Sequence, residues 1–192
     1  MSNKFIVIGF YTKNTPYEEE IKIMANSCKK FNIEVKIHEY PSLNEWEHNL
    51  WIKPVFIMNM MYLHPNVDLL YLDSDAVICE YPILFDNFQY DMGCHLKDGK
   101  ELLSGTIFLK NNNNTRCFVS NWHGMYLTFD GQFLAEQTAL EYMVKNNLNK
   151  HNMSFFNLPA TYAQIFDSMA HNGKPIIQQN QASRRFKCQI HS

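Results

Sequence analysis

The sequence has 192 residues, a formal net charge of -2, 46% apolar residues and 19% charged residues. This length fits one domain, and the apolar fraction is enough to build a sizeable core, which excludes a wholly disordered chain. The near-neutral charge argues against binding to nucleic acid or anionic membranes driven by overall electrostatics.

No stretch approaches about 18 uninterrupted apolar residues, so the sequence predicts no transmembrane helix. The apolar run Phe5–Phe10 is short for a signal peptide, and no small-residue cleavage site follows it. The five cysteines are odd in number and show no CxxC spacing, which argues against a disulfide framework or a zinc cluster. We therefore expect a cytoplasmic protein with no signal peptide and no membrane anchor.

Strand and helix patterns alternate along the first part of the chain. Phe5–Phe10 is almost continuously apolar, which is typical of a strand covered on both faces. Apolar residues at helical spacing predict a helix over Tyr17–Phe31, and Val35–His38 alternates like a strand. The next predicted helix is Lys53–Leu63, with Pro54 in its first turn.

The same alternation continues to the end of the chain. Predicted strands cover Leu69–Leu72, Met92–Leu96 and Thr106–Leu109, the run Asn111–Asn114 indicates a surface turn, and a helix is predicted over Phe133–Val144. Strands that alternate with helices predict an α/β fold: one domain over 1–192, with a mixed, mostly parallel sheet flanked by helices.

Two acidic residues follow the buried strand at its carboxyl end. Asp73 and Asp75 are two positions apart, so extended backbone places both carboxylates on one side. They would repel each other unless a cation lay between them, and Mg²⁺ or Mn²⁺, which also binds phosphate oxygens, fits this role. The alternative is a pair of solvated acids. Tyr11 and Thr12 follow the first strand at the same predicted edge, where open α/β sheets bind ligands.

Asp73-Ser74-Asp75 after a buried strand resembles the DxD motif of GT-A fold glycosyltransferases, which use nucleoside-diphosphate sugars. Further segments resemble motifs of that family, in the family's order along the chain. They are Trp51–Pro54 with its basic residue, Leu103–Phe108, Glu136–Leu140, Leu158–Tyr162 and the tail segment Pro175–Arg185.

The resemblance implies one Rossmann-related, GT-A-like domain in which residues 175–192 form a donor-binding tail. It implies metal-dependent transfer of a sugar from a nucleoside-diphosphate sugar, with UDP favoured, to a glycan, protein or nucleic acid acceptor. It also implies retention of configuration. Asp73 and Asp75 would hold Mn²⁺ or Mg²⁺, which acts as a Lewis acid on the leaving diphosphate. Where the family tail often carries a metal-binding His, this chain has Gln179, whose amide carbonyl can also bind a hard cation.

The resemblance assigns further residues to the donor or the acceptor. Glu136 could contact sugar hydroxyls or act as a base toward the acceptor, or it could instead cap its helix. Gly105 would let the sugar approach the backbone closely, or it could mark a bulge. Lys53 could reach the diphosphate or the sugar, or lie exposed in its helical turn. Tyr11 and Thr12 could bind the base and the ribose. The donor-binding set also includes Ser74, Gln137, Arg184 and Lys187. Arg184 and Lys187 belong to the basic tail, whose charges could instead simply be exposed to solvent.

Two other functions stay open. Asp73-Ser74-Asp75-Ala76-Val77 also fits the nucleophile motif of haloacid-dehalogenase-like phosphatases, although the motif comes late in the chain and no second acidic pair follows it. The substitution at Gln179 also fits a non-catalytic module that binds a nucleotide-sugar or a glycan. A dinucleotide-binding dehydrogenase is disfavoured because no GxGxxG follows the first strand.

Overall fold

The computed structural model describes residues 5–43, 46–127 and 135–190, except for the side chains of residues 46, 47 and 187–190. Within these ranges the strands are β1 (Phe5–Thr12), β2 (Val35–Tyr40), β3 (Asp68–Leu72), β4 (Ala76–Ile78), β5 (Met92–Lys97), β6 (Glu101–Leu109), β7 (Phe155–Asn157), β8 (Gln164–Ile165) and β9 (Ile177–Gln179). The α-helices are α1 (Tyr17–Lys30), α2 (Trp46–Leu50), α3 (Ile52–Leu63), α4 (Asn113–Gly124), α5 (Glu136–Asn146) and α6 (Ala182–Ile190).

Six of the strands form the central sheet, in the order β2-β1-β3-β6-β5-β7. β1 pairs in parallel with β2 and β3, β5 pairs in parallel with β7, and β6 runs antiparallel to both of its neighbours. A smaller sheet, β4-β9-β8, lies beside it. The predicted α/β fold with a mixed, mostly parallel sheet is therefore confirmed.

Helices cover both faces of the central sheet, and β1 shows why its sequence is apolar throughout. Ile6 and Ile8 pack into a core cluster with residues of α3, α4 and α5, whereas Phe5 and Val7 pack on the opposite face with residues of α1. Because successive side chains of a strand point to opposite faces, both halves of the alternation must be apolar here.

The ends of several elements differ from the predictions, most of them by one or two residues. β1 continues through Tyr11 and Thr12, which the sequence placed after the strand. β6 begins at Glu101 and not at Thr106. The predicted last helix is found as α5 from Glu136, and residues 133–134 of that prediction lie outside the described residues.

The prediction of a surface turn at the asparagine run is wrong, because α4 begins there. The Asn112 side chain accepts a hydrogen bond from the backbone N–H of Thr115 and caps the helix. Asparagine is among the best N-cap residues, so a run of asparagines fits a helix start as well as a turn.

An irregularity in β6 shapes the edge of the sheet where β3 ends. In the pairing of β5 with β6, Gly93 lies opposite Phe108 but His95 lies opposite Leu103. One residue of β5, Cys94, therefore lies opposite four residues of β6, 104–107, and this part of β6 bulges. The bulge brings Gly105 beside the end of β3, where its carbonyl accepts a hydrogen bond from the backbone N–H of Asp73.

None of the helices in the described ranges is both long enough and apolar enough to cross a membrane.

Candidate active site

A cleft opens at the carboxyl ends of β1 and β3, the edge at which the sequence predicts ligand binding. Its walls come from these two strands, from the starts of α1 and α3, and from α2 and α6. Open α/β sheets bind their ligands at this edge. The residues that line the cleft are Phe10, Tyr11, Thr12, Tyr17, Asn49, Leu50, Lys53, Tyr71, Asp73, Ser74, Asp75 and Ser183.

The two oxygens of the Asp73 carboxylate have different partners. Oδ1 accepts a hydrogen bond from the Tyr71 hydroxyl at 2.8 Å and lies 3.2 Å from Lys53 Nζ. Oδ2 faces the bulge of β6, where a Cβ atom built on Gly105 would lie 3.1 Å from it. Oδ2 is therefore turned toward the space that is open because Gly105 has no side chain.

Gln179, at the end of β9, faces the same space. Its side-chain Nε2 donates to the carbonyl of Gly105 at 3.0 Å and to Oγ1 of Thr106 at 2.8 Å. These two bonds turn the amide so that Oε1 lies 2.9 Å from a Cβ atom built on Gly105. Asp73 and Gln179 thus aim one oxygen each at one point, and only a glycine at position 105 leaves that point open.

Asp75 connects the site to the C-terminal segment. Its Oδ2 accepts a hydrogen bond from the backbone N–H of Ala182, the first residue of α6, and its backbone carbonyl accepts one from Asn180. Burial, followed by the nearby Asp73 carboxylate, raises the pKa of Asp75 to about 6. A carboxyl that resists ionisation beside a second carboxylate is the situation that a bound cation relieves.

Lys53 is buried, and its ammonium joins Asp73 to a second carboxylate deeper in the protein. Lys53 Nζ lies 3.3 Å from Oε1 of Glu136 and donates to the Ser104 hydroxyl and carbonyl. Gln137 Oε1 accepts from the Ser104 hydroxyl and backbone N–H. The exposed position that the sequence allowed for Lys53 is wrong, because the residue is only 3% exposed.

The charged groups of this network shift one another's pKa values. Burial lowers the pKa of Lys53, but the carboxylates of Asp73 and Glu136 outweigh that effect and raise it above its ordinary value. Burial also raises the pKa of Glu136 to about 7, although Lys53 opposes the shift. The helix-capping alternative for Glu136 is wrong, because α5 has no side-chain cap and this carboxylate faces Lys53 and Ser104.

The other predicted donor-binding residues are spread around the cleft. Tyr11, Thr12 and Ser74 line it. The Tyr11 hydroxyl donates to Glu39 at 2.9 Å. Arg184 follows Ser183, which lines the cleft, and its guanidinium pairs with Asp167 at 2.8 Å. The side chain of Lys187 lies outside the described residues.

Sequence reasoning missed four residues that support the site. Tyr71 and Thr106 bond to Asp73 and Gln179, as described above. Trp122 Nε1 donates to the carbonyl of Glu136 and fixes the start of α5. Tyr17 lines the cleft and packs edge-on against Phe186 of α6. Only the position of Tyr71, two residues before Asp73 in a strand, gave a signal, since it places both side chains on one face.

The chemistry of these oxygens fits a hard divalent cation. Within the described ranges, no cluster of three or more His, Cys, Asp or Glu side chains is placed to hold a metal ion. The site instead places the Asp73 carboxylate and the amide oxygen of Gln179 around the open space at Gly105, and Asp75 lines the adjoining cleft. Carboxylates and amide carbonyls suit Mg²⁺ and Mn²⁺, which fill their remaining positions with water or phosphate oxygens.

The fold defined by this sheet, its helices and the cleft is the GT-A-like fold of glycosyltransferases. A glycosyltransferase involved in glycosylating the major capsid of PBCV-1 matches 97% of this chain and 98% of its own, with a TM-score of 0.69 and 13% identity. GlyE of Streptococcus pneumoniae TIGR4 matches 93% of this chain, with a TM-score of 0.63 and 13% identity, and this chain spans 54% of it.

The galactosyltransferase LgtC, solved with donor and acceptor sugar analogues, has the same fold. It matches 91% of this chain and 86% of its own, with a TM-score of 0.53 and 11% identity. No protein-family model and no curated protein matches the sequence. At these identities the likeness establishes the fold, and the function has to be argued from the site.

Proposed function

We propose that the protein is a metal-dependent glycosyltransferase that uses a nucleoside-diphosphate sugar, with a UDP-sugar favoured. The observation that carries the proposal is the convergence of Asp73 Oδ2 and Gln179 Oε1 on the open space at Gly105, beside the cleft. The fold supports it, because the three solved structures described above, which share the fold, are glycosyltransferases.

Asp73, Asp75 and Gln179 would hold Mn²⁺ or Mg²⁺. When bound, the ion supplies a Lewis acid that neutralises the negative charge of the departing diphosphate. Gln179 then takes the place of an imidazole ligand, and its oxygen is the same type of ligand as the two carboxylates.

The residues of the cleft would bind the donor. Tyr11 and Tyr17 offer aromatic rings against which a nucleobase can stack, and base–aromatic stacking contributes about 1–3 kcal/mol. Thr12 and Ser74 offer hydroxyls for the ribose and the diphosphate. The tail, residues 175–192, would complete this side, because Ser183 lines the cleft and Arg184 is the next residue of α6.

The buried residues of the site would act on the sugar. Gly105 lets the sugar approach the backbone closely. Lys53 orients Asp73, and Glu136 and Gln137, which both contact Ser104, would contact sugar hydroxyls. Within the described residues, Glu136 already pairs with Lys53, so no carboxylate of the site stands ready as a dedicated base, which favours retention of configuration.

The test is the release of nucleotide from a panel of donors, UDP-glucose, UDP-galactose, UDP-N-acetylglucosamine and GDP-mannose, with Mn²⁺ or with EDTA. We expect metal-dependent release from at least one UDP-sugar and a loss of at least about 100-fold in Asp73→Asn and Asp75→Asn. Asp86→Asn is the matched control, because Asp86 bonds to Tyr81 away from the site.

Metal-dependent binding without turnover would favour the non-catalytic module. Turnover that is unchanged in Asp73→Asn and Asp75→Asn would contradict the proposed site.

A further inference from the structure

Two buried hydroxyls stand behind the oxygens that converge on Gly105. The Tyr71 side chain is 1% exposed, and Thr106 is fully buried. Tyr71 comes from β3 and Thr106 from the bulged part of β6, on either side of the hydrogen bond that joins Asp73 to Gly105. Each hydroxyl bonds to a side chain of the proposed metal site.

Tyr71 acts on one oxygen of Asp73 only. Its hydroxyl and Lys53 Nζ both contact Oδ1, at 2.8 and 3.2 Å, and Lys53 Nζ also lies 5.2 Å from the centre of the Tyr71 ring. A carboxylate can rotate about its Cβ–Cγ bond, and two donors on one oxygen oppose that rotation. Oδ2 is thereby kept pointing at the space beside Gly105.

Thr106 acts on Gln179 in the corresponding way. An amide group has a donor end and an acceptor end, and a flip would exchange them. Thr106 Oγ1 and the carbonyl of Gly105 both accept from Nε2 of Gln179, and a flipped amide would place its oxygen against the Gly105 carbonyl, which can only accept. The flip is disfavoured, and Oε1 stays aimed at the same space as Asp73 Oδ2.

We propose that Tyr71 and Thr106 are positioning residues that preorganise Asp73 and Gln179 for a divalent cation. The inference rests on the proposed function, because it names partners of the same metal site. Neither hydroxyl contacts the ion. Each holds the ligand that does, and the loss of such partners lowers metal affinity by about 10- to 100-fold in other metal proteins.

The test measures Mn²⁺ binding to the full chain from the electron paramagnetic resonance signal of the free aqueous ion. Tyr71→Phe removes one hydroxyl and keeps the ring that packs against Phe10 and Phe56. Thr106→Val removes the other hydroxyl at nearly constant volume. We expect each variant to bind Mn²⁺ at least about tenfold more weakly than the wild type, while it keeps its far-ultraviolet circular dichroism.

Matched controls separate this effect from a general loss of stability. Tyr81→Phe breaks a tyrosine–aspartate hydrogen bond to Asp86, and Thr115→Val removes a buried hydroxyl that bonds to Asn112. Both bonds lie away from the cleft, so both controls should bind Mn²⁺ with wild-type affinity even where their thermal stability falls.

The outcomes distinguish this inference from the proposed function. Wild-type Mn²⁺ affinity in the folded Tyr71→Phe and Thr106→Val variants would overturn the inference and leave the metal site in place. If the wild type bound no Mn²⁺, with or without UDP, the metal dependence and the inference would fall together. Because Tyr71 and Thr106 lie on different strands, the Mn²⁺ affinity of one variant still tests the inference if the other variant does not fold.

Discussion

Gln179 stands where the resemblance expects a metal-binding histidine, and in the proposed site its amide oxygen would be the ligand instead. Its Nε2 is held by Gly105 and Thr106, which leaves Oε1 as the atom that faces Asp73. Gln179→Leu removes that oxygen, so we expect the Mn²⁺ dissociation constant to rise at least about tenfold, as measured by calorimetry.

Gln178→Leu is the matched control for this change. Gln178 is the preceding residue of β9, and its side chain bonds instead to Asn180. Equal weakening in both variants would show that the strand, and not the oxygen of Gln179, determines the affinity.

The pH dependence of the site follows from its two perturbed carboxyls. The pKa of Asp75 is raised to about 6 and that of Glu136 to about 7, so both bind a proton more tightly in the folded chain than in the unfolded one. Their protonation therefore stabilises the metal-free fold, and this stabilisation is lost as the pH rises through 6 and 7.

Metal binding has the opposite pH dependence, because the ion must displace the proton of Asp75. With a pKa of about 6, we expect Mn²⁺ to bind about tenfold more weakly at pH 5 than at pH 7. The increase in melting temperature that Mn²⁺ causes, measured at pH 5 and at pH 7, tests this expectation. An equal increase in melting temperature at both would show that Asp75 is not a ligand.

At the scale of elements, the bulge of β6 decides whether the site is open. It carries Gly105 to the end of β3, where a Cβ atom would lie 2.9 Å from Gln179 Oε1 and 3.1 Å from Asp73 Oδ2. Gly105→Ala fills the space in which both oxygens converge. We expect titration calorimetry to show a loss of Mn²⁺ affinity of at least about tenfold, with a much smaller change in melting temperature.

Gly124→Ala provides the comparison, since a Cβ atom there meets no atom within 4 Å and the residue ends α4. It should leave Mn²⁺ affinity unchanged. Wild-type affinity in Gly105→Ala would contradict the placement of the ion at the bulge.

The sequence predicted the strand before Asp73 well, whereas it offered the bulge of β6 only as one of two alternatives for Gly105, and the difference has physical reasons. After Asp68, β3 is a continuous apolar run that two acids follow, and burial on both faces requires such a run of apolar residues. The bulge depends on pairing with β5, which is distant along the chain. The strands of the smaller sheet span only two or three residues, too few to show a period.

At the scale of the whole molecule, Lys53 joins four elements. It lies in α3 and contacts Asp73 after β3, Ser104 in β6 and Glu136 in α5. A hydropathy pattern gives no sign of this, because a lysine in a first helical turn is ordinarily exposed. Only the tertiary arrangement that buries two carboxylates beside it explains why the lysine is buried.

Lys53→Met would leave Glu136 and Asp73 without their counter-charge. We expect the free energy of unfolding, measured in urea, to fall by about 3–5 kcal/mol, the usual cost of removing one partner from a buried ion pair. Lys13→Met breaks an exposed pair with Glu39 and should leave that free energy almost unchanged. If Lys53→Met and Lys13→Met lowered the free energy of unfolding by equally small amounts, the buried network would not hold the four elements together.

The most direct measurement is a calorimetric titration of UDP into the protein, first with Mn²⁺ and then with EDTA. We expect UDP to bind in the presence of the metal, to lose that binding in EDTA, and to lose it in Asp75→Ala, while Asp86→Asn binds as the wild type does. If neither UDP nor GDP bound under either condition, the donor site proposed at Asp73, Asp75 and Gln179 would be wrong.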